Sequence, residues 1–305
     1  MLYFIVNPAS SSGRGIKVWE KTSALLDEKN IEYKAFMLRK KGETKRIASE
    51  LSASGEEMTV ILVGGDGTIN EFLSGLSSYS HITFGVIQTG SGNDFARALE
   101  LPDDPEKILD LVLSGKKIRP LHTGRVLAGD SSFSFAVSSG IGLDAAVCEV
   151  ADISGAKSFL NSIGLGKLVY SLHGLKALLT NPVMKVTLET EEQTLKYDKV
   201  FFIAAMNTKY EGGGYMFAPQ ATPEDEFLDL MIAEGIPRIK AVGMMPLARK
   251  GRHTGMKGIH IIRCRKAHIK TDREAFLHTD GEVLGCFSEI EYSLSEDRLR
   301  TITGY

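Results

Sequence analysis

Three cysteines stand in 305 residues, at Cys148, Cys264 and Cys286, far apart and odd in number. That spacing excludes a zinc ribbon or a disulfide framework and fits a reducing compartment. No apolar run approaches the roughly 20 residues a membrane-spanning helix needs. The formal net charge is only -2, so no global pull toward nucleic acid exists, and none is expected as a partner. The first residues, Met1-Leu2-Tyr3-Phe4-Ile5-Val6-Asn7-Pro8, lack a basic segment or cleavage site and read as a strand. A cytoplasmic location is therefore expected. No G-x-x-x-x-G-K-[ST] occurs, and no G-x-G-x-x-G follows the first strand, which excludes a P-loop and a dinucleotide fingerprint. There is no internal repeat.

What is present is an ordinary apolar share of 43% and a charged share of 24%, enough for a full core without staples. Length suggests one large domain or two. Residues 1 to about 121 alternate strand and helix patterns. Strands are expected at Leu2–Asn7, Ile31–Leu38, Met58–Val63 and Ile82–Ile87. Helices are expected at Gly15–Lys29, Glu43–Ser54, from Thr68, and at Asn93–Leu99 and Pro105–Leu113. This rhythm predicts an α/β domain with a parallel sheet covered by helices. After residue 121 the pattern becomes strand-rich. Strands are expected at 125–127, 132–137, 183–189, 199–206, 228–233, 258–265, 267–270 and 289–294, which predicts a mainly antiparallel β domain. Ser158–Leu179 carries leucines at helical spacing and is expected to be an amphipathic helix.

Three glycine-rich turns follow three separate strands. They are Asn7-Pro8-Ala9-Ser10-Ser11-Ser12-Gly13-Arg14-Gly15, Val63-Gly64-Gly65-Asp66-Gly67-Thr68-Ile69-Asn70-Glu71 and Thr89-Gly90-Ser91-Gly92-Asn93-Asp94-Phe95-Ala96-Arg97. Glycines let a ligand approach the backbone, and a helix N-terminus offers unpaired N–H groups to phosphate. Open α/β sheets place their ligands at the carboxyl ends of strands, where these turns fall. Asp66 is the odd residue, since a carboxylate beside phosphates needs a metal or a proton transfer to explain it. A glycine-rich tight turn without ligand is the plainer alternative for any one of the three.

These turns resemble the diacylglycerol-kinase catalytic family of soluble bacterial lipid kinases, related to sphingosine kinases and distantly to NAD kinases. Further matches are Gly140-Ile141-Gly142-Leu143-Asp144-Ala145, Gly212-Gly213-Gly214 with Ala218-Pro219-Gln220-Ala221, and Thr279-Asp280-Gly281-Glu282. The resemblance implies a nucleotide-binding α/β domain over 1–121, completed by the segment 288–305. It also implies a β-sandwich-like, lipid-substrate domain over 122–287, with the nucleotide cleft between the two. It implies ATP as phosphate donor, Mg2+ as cofactor and a lipid hydroxyl as acceptor, most simply that of diacylglycerol.

The roles implied for individual residues follow the same motifs. Asp280 takes the position of the general base, and Asp66 and Asp94 those that organise Mg2+ and the reacting groups. Asn7, Ser12, Gly13, Gly15, Thr44, Gly64, Gly65, Gly67, Thr68, Glu71, Gly90, Ser91, Gly92, Asn93 and Glu282 line the nucleotide. Asp225, with Phe227 beside it, takes the position of a second, structural divalent-ion site. Without the family, Asp280-Gly281 reads first as a hairpin turn, and Asp225 as part of an acidic surface loop.

Three residues depart from the family pattern. Gln88 replaces a usual proline, Glu226 a usual glycine, and His122 an aspartate near the metal. A histidine supplies no fixed negative charge there. The run Arg238–Arg273 is basic with almost no acids. It reads as a solvated face or as a docking surface for an anionic membrane, where peripheral association would bring the lipid substrate. A homodimer stays open. Alternative acceptors are a sphingoid base, a phosphatidylglycerol-like lipid or an isoprenoid alcohol. A catalytically weak nucleotide- and lipid-binding sensor is the alternative from another class.

Overall fold

The structure is a computed structural model that describes residues 1–143, 145, 148 and 182–305. The helix expected at Ser158–Leu179 and the motif residue Asp144 lie outside the described residues. The chain forms two compact units. The first comprises Met1–Thr123, Pro223–Asp225 and Ser295–Tyr305, and the second Gly124–Thr222 and Glu226–Leu294.

The first unit opens with β1 (Leu2–Val6), α1 (Ser10–Glu28), β2 (Tyr33–Met37) and α2 (Glu43–Ala53). It continues with β3 (Met58–Gly64), α3 (Asp66–Gly75) and β4 (Ile82–Gln88). Then come α4 (Asp94–Ala98), α5 (Pro105–Ser114) and β5 (Ile118–Leu121). β1 pairs in parallel with β2 and β3, and β3 with β4. Every residue of β4 is buried, the polar Thr83 and Gln88 included, as expected of a strand covered on both faces. Phe4, Val6, Ile61, Val63 and Ile87 pack with Leu26 of α1 and with Ile108 and Leu109 of α5. On the other face Phe72 of α3 stacks on Phe84 at 5.1 Å. Asp104 caps α5 by accepting from the Glu106 N–H, with Pro105 at the first helical position.

The second unit contains β6 (Gly124–Ala128), β7 (Ser131–Phe135), β8 (Ser138–Gly142) and β9 (Met184–Thr190). β10 (Thr194–Met206), β11 (Leu228–Glu234), α6 (Arg238–Ala248) and β12 (Ile259–Cys264) follow. The long hairpin β13 (Lys266–Thr279) and β14 (Glu282–Leu294) ends the unit. Among the described residues, nine strands form one antiparallel sheet in the order β12-β11-β10-β8-β13-β14-β6-β7, with β9 pairing β10 and β13. Its core joins Phe135, Ile141, Leu188, Ile203, Leu230, Leu277 and Tyr292.

A last short strand, β15 (Leu299–Ile302), enters the first sheet between β4, to which it is parallel, and β5, to which it is antiparallel. That sheet reads β2-β1-β3-β4-β15-β5. The architecture is thus an α/β domain with a largely parallel sheet and a second, antiparallel β domain.

Several details differ from the sequence reading. The segment 288–294 stays in the second unit, because β14 remains hydrogen-bonded to β13 and β6 as far as Leu294. The strand expected at 132–137 breaks after Phe135, leaving Ala136 and Val137 between β7 and β8. The strand expected at 267–270 runs on to Thr279, since β9, β14 and β8 pair with it in succession. Helix α6 was not expected at all. Its apolar residues lie on two sides, and Gly243 and Pro246 interrupt any helical signal.

Candidate active site

The chemistry of the first unit starts where β1, β3 and β4 end. The three strands run side by side in the same direction, so their turns emerge at one edge. They are tied together there. The Asn7 N–H donates to the Val63 carbonyl at 2.8 Å, and the Thr89 N–H to that of Gly64 at 2.8 Å. Asn7 Nδ2 donates to Thr68 Oγ1 at 3.2 Å, and the hydroxyls of Ser10 and Thr89 lie 2.6 Å apart.

The glycines are required by contact. A Cβ on Gly15 would sit 2.0 Å from the Asn7 carbonyl oxygen, and one on Gly64 2.7 Å from the Thr68 side chain. A Cβ on Gly65 would lie 2.7 Å from the Gly90 Cα. The second and third turns therefore touch backbone to backbone.

The first turn is the most unusual in its dihedrals. Ser11, Ser12 and Gly13 take φ of 44°, 58° and 92° in succession before α1 becomes regular. Two serines in the left-handed region are costly, and such strain is characteristic of functional turns. A run of this kind points successive N–H groups into a concavity that suits an anion. Asn93 also has positive φ, at 55°. Its Nδ2 donates to the Gly90 carbonyl at 3.0 Å, and its Oδ1 is buried without a hydrogen-bond partner among the described residues.

Asp66 begins α3, and its carboxylate accepts the N–H groups of Asp94 and Phe95, both at 3.3 Å. Burial pushes its carboxyl above the ordinary range, against those N–H bonds and the charge of Arg97, which pull it down. Asp94 is itself ion-paired to Arg97, which also binds the Gly92 carbonyl at 2.9 Å. The Asp94–Arg97 pair carries no net charge, so Asp66 is the carboxylate that most needs a cation. Among the described residues no three acidic, His or Cys side chains gather. That donor set fits a small hard cation held by one or two carboxylates and completed by phosphate oxygens and water, as Mg2+ commonly is.

The raised pKa has a testable sign. The folded chain holds the Asp66 proton more tightly than the unfolded chain, whose value is 3.8. The stability this group contributes is full below that pH and is lost as pH rises through the folded value. Asp66→Asn removes the titration. Its stability relative to wild type should rise from about pH 4 upward, measured by urea melts across a pH series without nucleotide or metal. A pH-independent difference would refute the assignment.

Other expected residues have partners of their own. Glu71 accepts the Gly42 N–H at 3.1 Å, holding the loop before α2 against α3. Thr44 is buried in the first turn of α2. Gln88 donates to Asp103 at 2.6 Å, a bond that proline could not make. His122 Nδ1 lies 3.0 Å from the Ser295 carbonyl, which can only accept, so this nitrogen carries a proton. The His122 backbone N–H donates to the Pro223 carbonyl at 2.8 Å. The segment holding Asp225 is thereby fastened into the first unit. Phe227 belongs to the second unit, and its ring is flanked by the guanidinium groups of Arg263 at 4.7 Å and Arg265 at 5.2 Å.

In the second unit, Asp280 and Gly281 form the two-residue turn between β13 and β14, with φ of 49° and 86°. Thr279 faces Glu282 across it, the geometry of a type I′ hairpin. The Asp280 carboxylate accepts three backbone N–H groups, from Ala136 at 2.8 Å, Val137 at 2.8 Å and Ser138 at 3.1 Å. This is why β7 and β8 are separated by two residues.

The turn is braced from behind by a pair that the sequence reading missed. The Gly281 N–H donates to His278 Nδ1 at 3.1 Å, and His278 Nε2 faces Glu211 Oε1 at 3.4 Å. Nδ1 accepts, so the ring proton sits on Nε2 and points at the carboxylate. Among the described residues, the Oε2 of Glu211 and the hydroxyls of Ser138 and Thr208 are buried without hydrogen-bond partners. Only the adjacency of His278 to Thr279-Asp280 could have signalled this. Glu211 is 67 positions away in sequence, and the fold brings it close.

Comparison with known proteins gives the family and the fold. Residues 1–126 match the diacylglycerol kinase catalytic domain. Residues 136–292 match the YegS C-terminal NAD kinase beta sandwich-like domain. The Bacillus subtilis (strain 168) protein named "Putative lipid kinase YtlR" is 30% identical over 293 residues, covering 93% of each chain. The diacylglycerol kinase of the same strain is 29% identical over 246 residues, 80% of this chain and 77% of its own. A crystallised diacylglycerol kinase from Bacillus anthracis str. Sterne has the same fold, with TM-score 0.71 at 18% identity over 99% of this chain and 96% of that one. An NAD kinase from Archaeoglobus fulgidus, in complex with ATP, shares it more distantly, with TM-score 0.52 at 14% identity over 99% and 94%. The chain belongs to the diacylglycerol kinase family of lipid kinases and is a phosphotransferase.

Proposed function

We propose that this kinase transfers the γ-phosphate of ATP, with Mg2+, to the hydroxyl of a membrane lipid, diacylglycerol first among them, giving phosphatidic acid. The observation that carries the reading is the convergence of three glycine-bearing turns at one edge of the first sheet. Phosphoryl transfer asks a protein mainly for alignment and charge stabilisation. The left-handed turn at Ser11, Ser12 and Gly13 and the paired backbones at Gly65 and Gly90 receive the phosphates. Asp66, with Asp94 beside it, would hold the metal. Bound there, Mg2+ supplies charge neutralisation on the transferring phosphate. The Asp280 carboxylate takes the hydrogen of the acceptor hydroxyl and orients its oxygen. A transition state with little nucleophile bonding needs only a weak base, which suits a carboxylate already holding three N–H groups.

The test is ADP release from Mg2+-ATP against diacylglycerol, a sphingoid base, a phosphatidylglycerol-like lipid and an isoprenoid alcohol. Diacylglycerol should be turned over fastest, and chelation of Mg2+ should stop the reaction. Nucleotide binding with no turnover of any lipid would overturn the proposal in favour of a sensor. Faster turnover of another acceptor would correct the substrate alone.

A further inference from the structure

The segment from Gly235 to Thr271 contains no Asp or Glu, and α6 within it has an unusual distribution of apolar residues. Met244 and Ala248 are buried and Ala241 is half-buried; these face the body of the second unit. At 3.6 residues per turn, the opposite side is centred on Ile239, Val242, Gly243 and Pro246. That outward side should be polar, and it is apolar instead. Ile239 is 85% exposed and Val242 39%. Met245 and Leu247 on the flanks are exposed at 38% and 36%. Lys240 borders the apolar crest on one side and Arg249 on the other. Lys250 and Arg252 follow at the end of the helix, all four exposed.

A helix that is apolar on both its buried and its outward face is normally covered on both. An apolar crest rimmed by cations, with no acid in the surrounding sequence, fits a surface that offers hydrocarbon just beneath a layer of negative charge. We propose that α6 lies in the headgroup layer of an anionic bilayer. Ile239, Val242 and Pro246 reach the acyl boundary, while Lys240, Arg249 and Lys250 meet lipid phosphates. Interfacial helices bind by this combination of buried apolar area and attraction to anionic lipid. The inference rests on the lipid-kinase reading only for choosing a bilayer over a protein partner. Its readout is binding, which needs no turnover.

The experiment is co-sedimentation of the full chain with phosphatidylcholine vesicles, with and without phosphatidylglycerol. Wild type should bind the anionic vesicles, and raised salt should weaken that binding. Ile239→Asp with Val242→Asp should weaken it roughly tenfold or more and leave the thermal melt unchanged, since both side chains are exposed. Lys240→Glu with Lys250→Glu should weaken it at low salt and have a smaller effect at high salt. Turnover of short-chain diacylglycerol in detergent should be unaffected in both double variants. If no lipid is turned over by wild type, the kinase reading fails while the binding result still decides the role of α6. Three outcomes overturn the inference. One is absence of binding by wild type. Another is unchanged vesicle binding by Ile239→Asp with Val242→Asp. The third is a wild-type dimer that this variant dissociates while vesicle binding persists, which would assign the face to a second copy of the chain.

Discussion

Asp280→Asn should lower kcat by about a hundredfold to ten-thousandfold, the range expected when a positioned proton acceptor is removed. The variant is informative because the backbone tolerates it well. Asn-Gly is the preferred pair for a type I′ turn, and Asp280 and Gly281 already have φ of 49° and 86°. The turn is therefore retained, and the carboxylate alone is changed. Asparagine has one accepting oxygen, however, and Ala136, Val137 and Ser138 together donate three N–H groups to the native side chain. At least one donor faces an NH2 group in the variant, and the fold should lose about 1–3 kcal/mol. The two effects separate by measurement. ATP binding, read by calorimetry, should be nearly unchanged, while labelled-phosphate transfer collapses. Turnover close to wild type would remove Asp280 from the chemistry and leave it as a hairpin anchor.

Gly65→Ala should damage the nucleotide site more than any substitution of an exposed residue. Its φ is -116°, which alanine adopts without strain, so the effect isolates close approach. The new Cβ would lie 2.7 Å from the Gly90 Cα. No rotamer can relieve a contact between two backbones, and the second and third turns must separate. Overpacking of this kind costs about 1–3 kcal/mol. The larger consequence is for ATP, because a displacement of about 1 Å in a positioning element can cost a hundredfold in rate. Gly13→Ala is the contrasting case, since nothing lies within 4 Å of its added Cβ but its φ is 92°. It should lose about 1–2 kcal/mol to left-handed strain. Thermal melts with and without Mg2+-ATP distinguish the two. In Gly65→Ala the stabilisation by nucleotide should shrink sharply. A nucleotide shift equal to wild type would show that the paired turns do not form the phosphate site.

The local features of this protein follow from local sequence. The apolar runs of β1, β3 and β4, the glycines after each of them and the change of rhythm near residue 121 are all consequences of period, propensity and turn chemistry. They were enough to expect an α/β domain, an antiparallel β domain and a phosphate site at one sheet edge. Within those turns sequence alone could not separate ligand-facing positions from bracing ones. Gly15 and Gly64 meet their own loops, Gly65 meets a loop 25 residues away, and Glu71 holds the backbone of Gly42.

Other features depended on distance in space. β15 has four residues, too few to show a period, and it is a strand because β4 and β5 leave a place beside them. Asp280 reads as a turn residue in sequence. Three N–H groups from a segment over 140 positions earlier make it an anchored carboxylate. His278 and Glu211 form a brace only because β13 passes the loop after β10. Helix α6 hides from sequence analysis because its two apolar sides cancel each other's periodicity. Which side is buried was decided by packing alone. Sequence determined the chemistry available at each turn and the family to which the chain belongs, because those rest on contiguous residues. Tertiary structure decided which neighbours hold each group, because hydrogen-bond capacity is consumed by partners that only folding brings near.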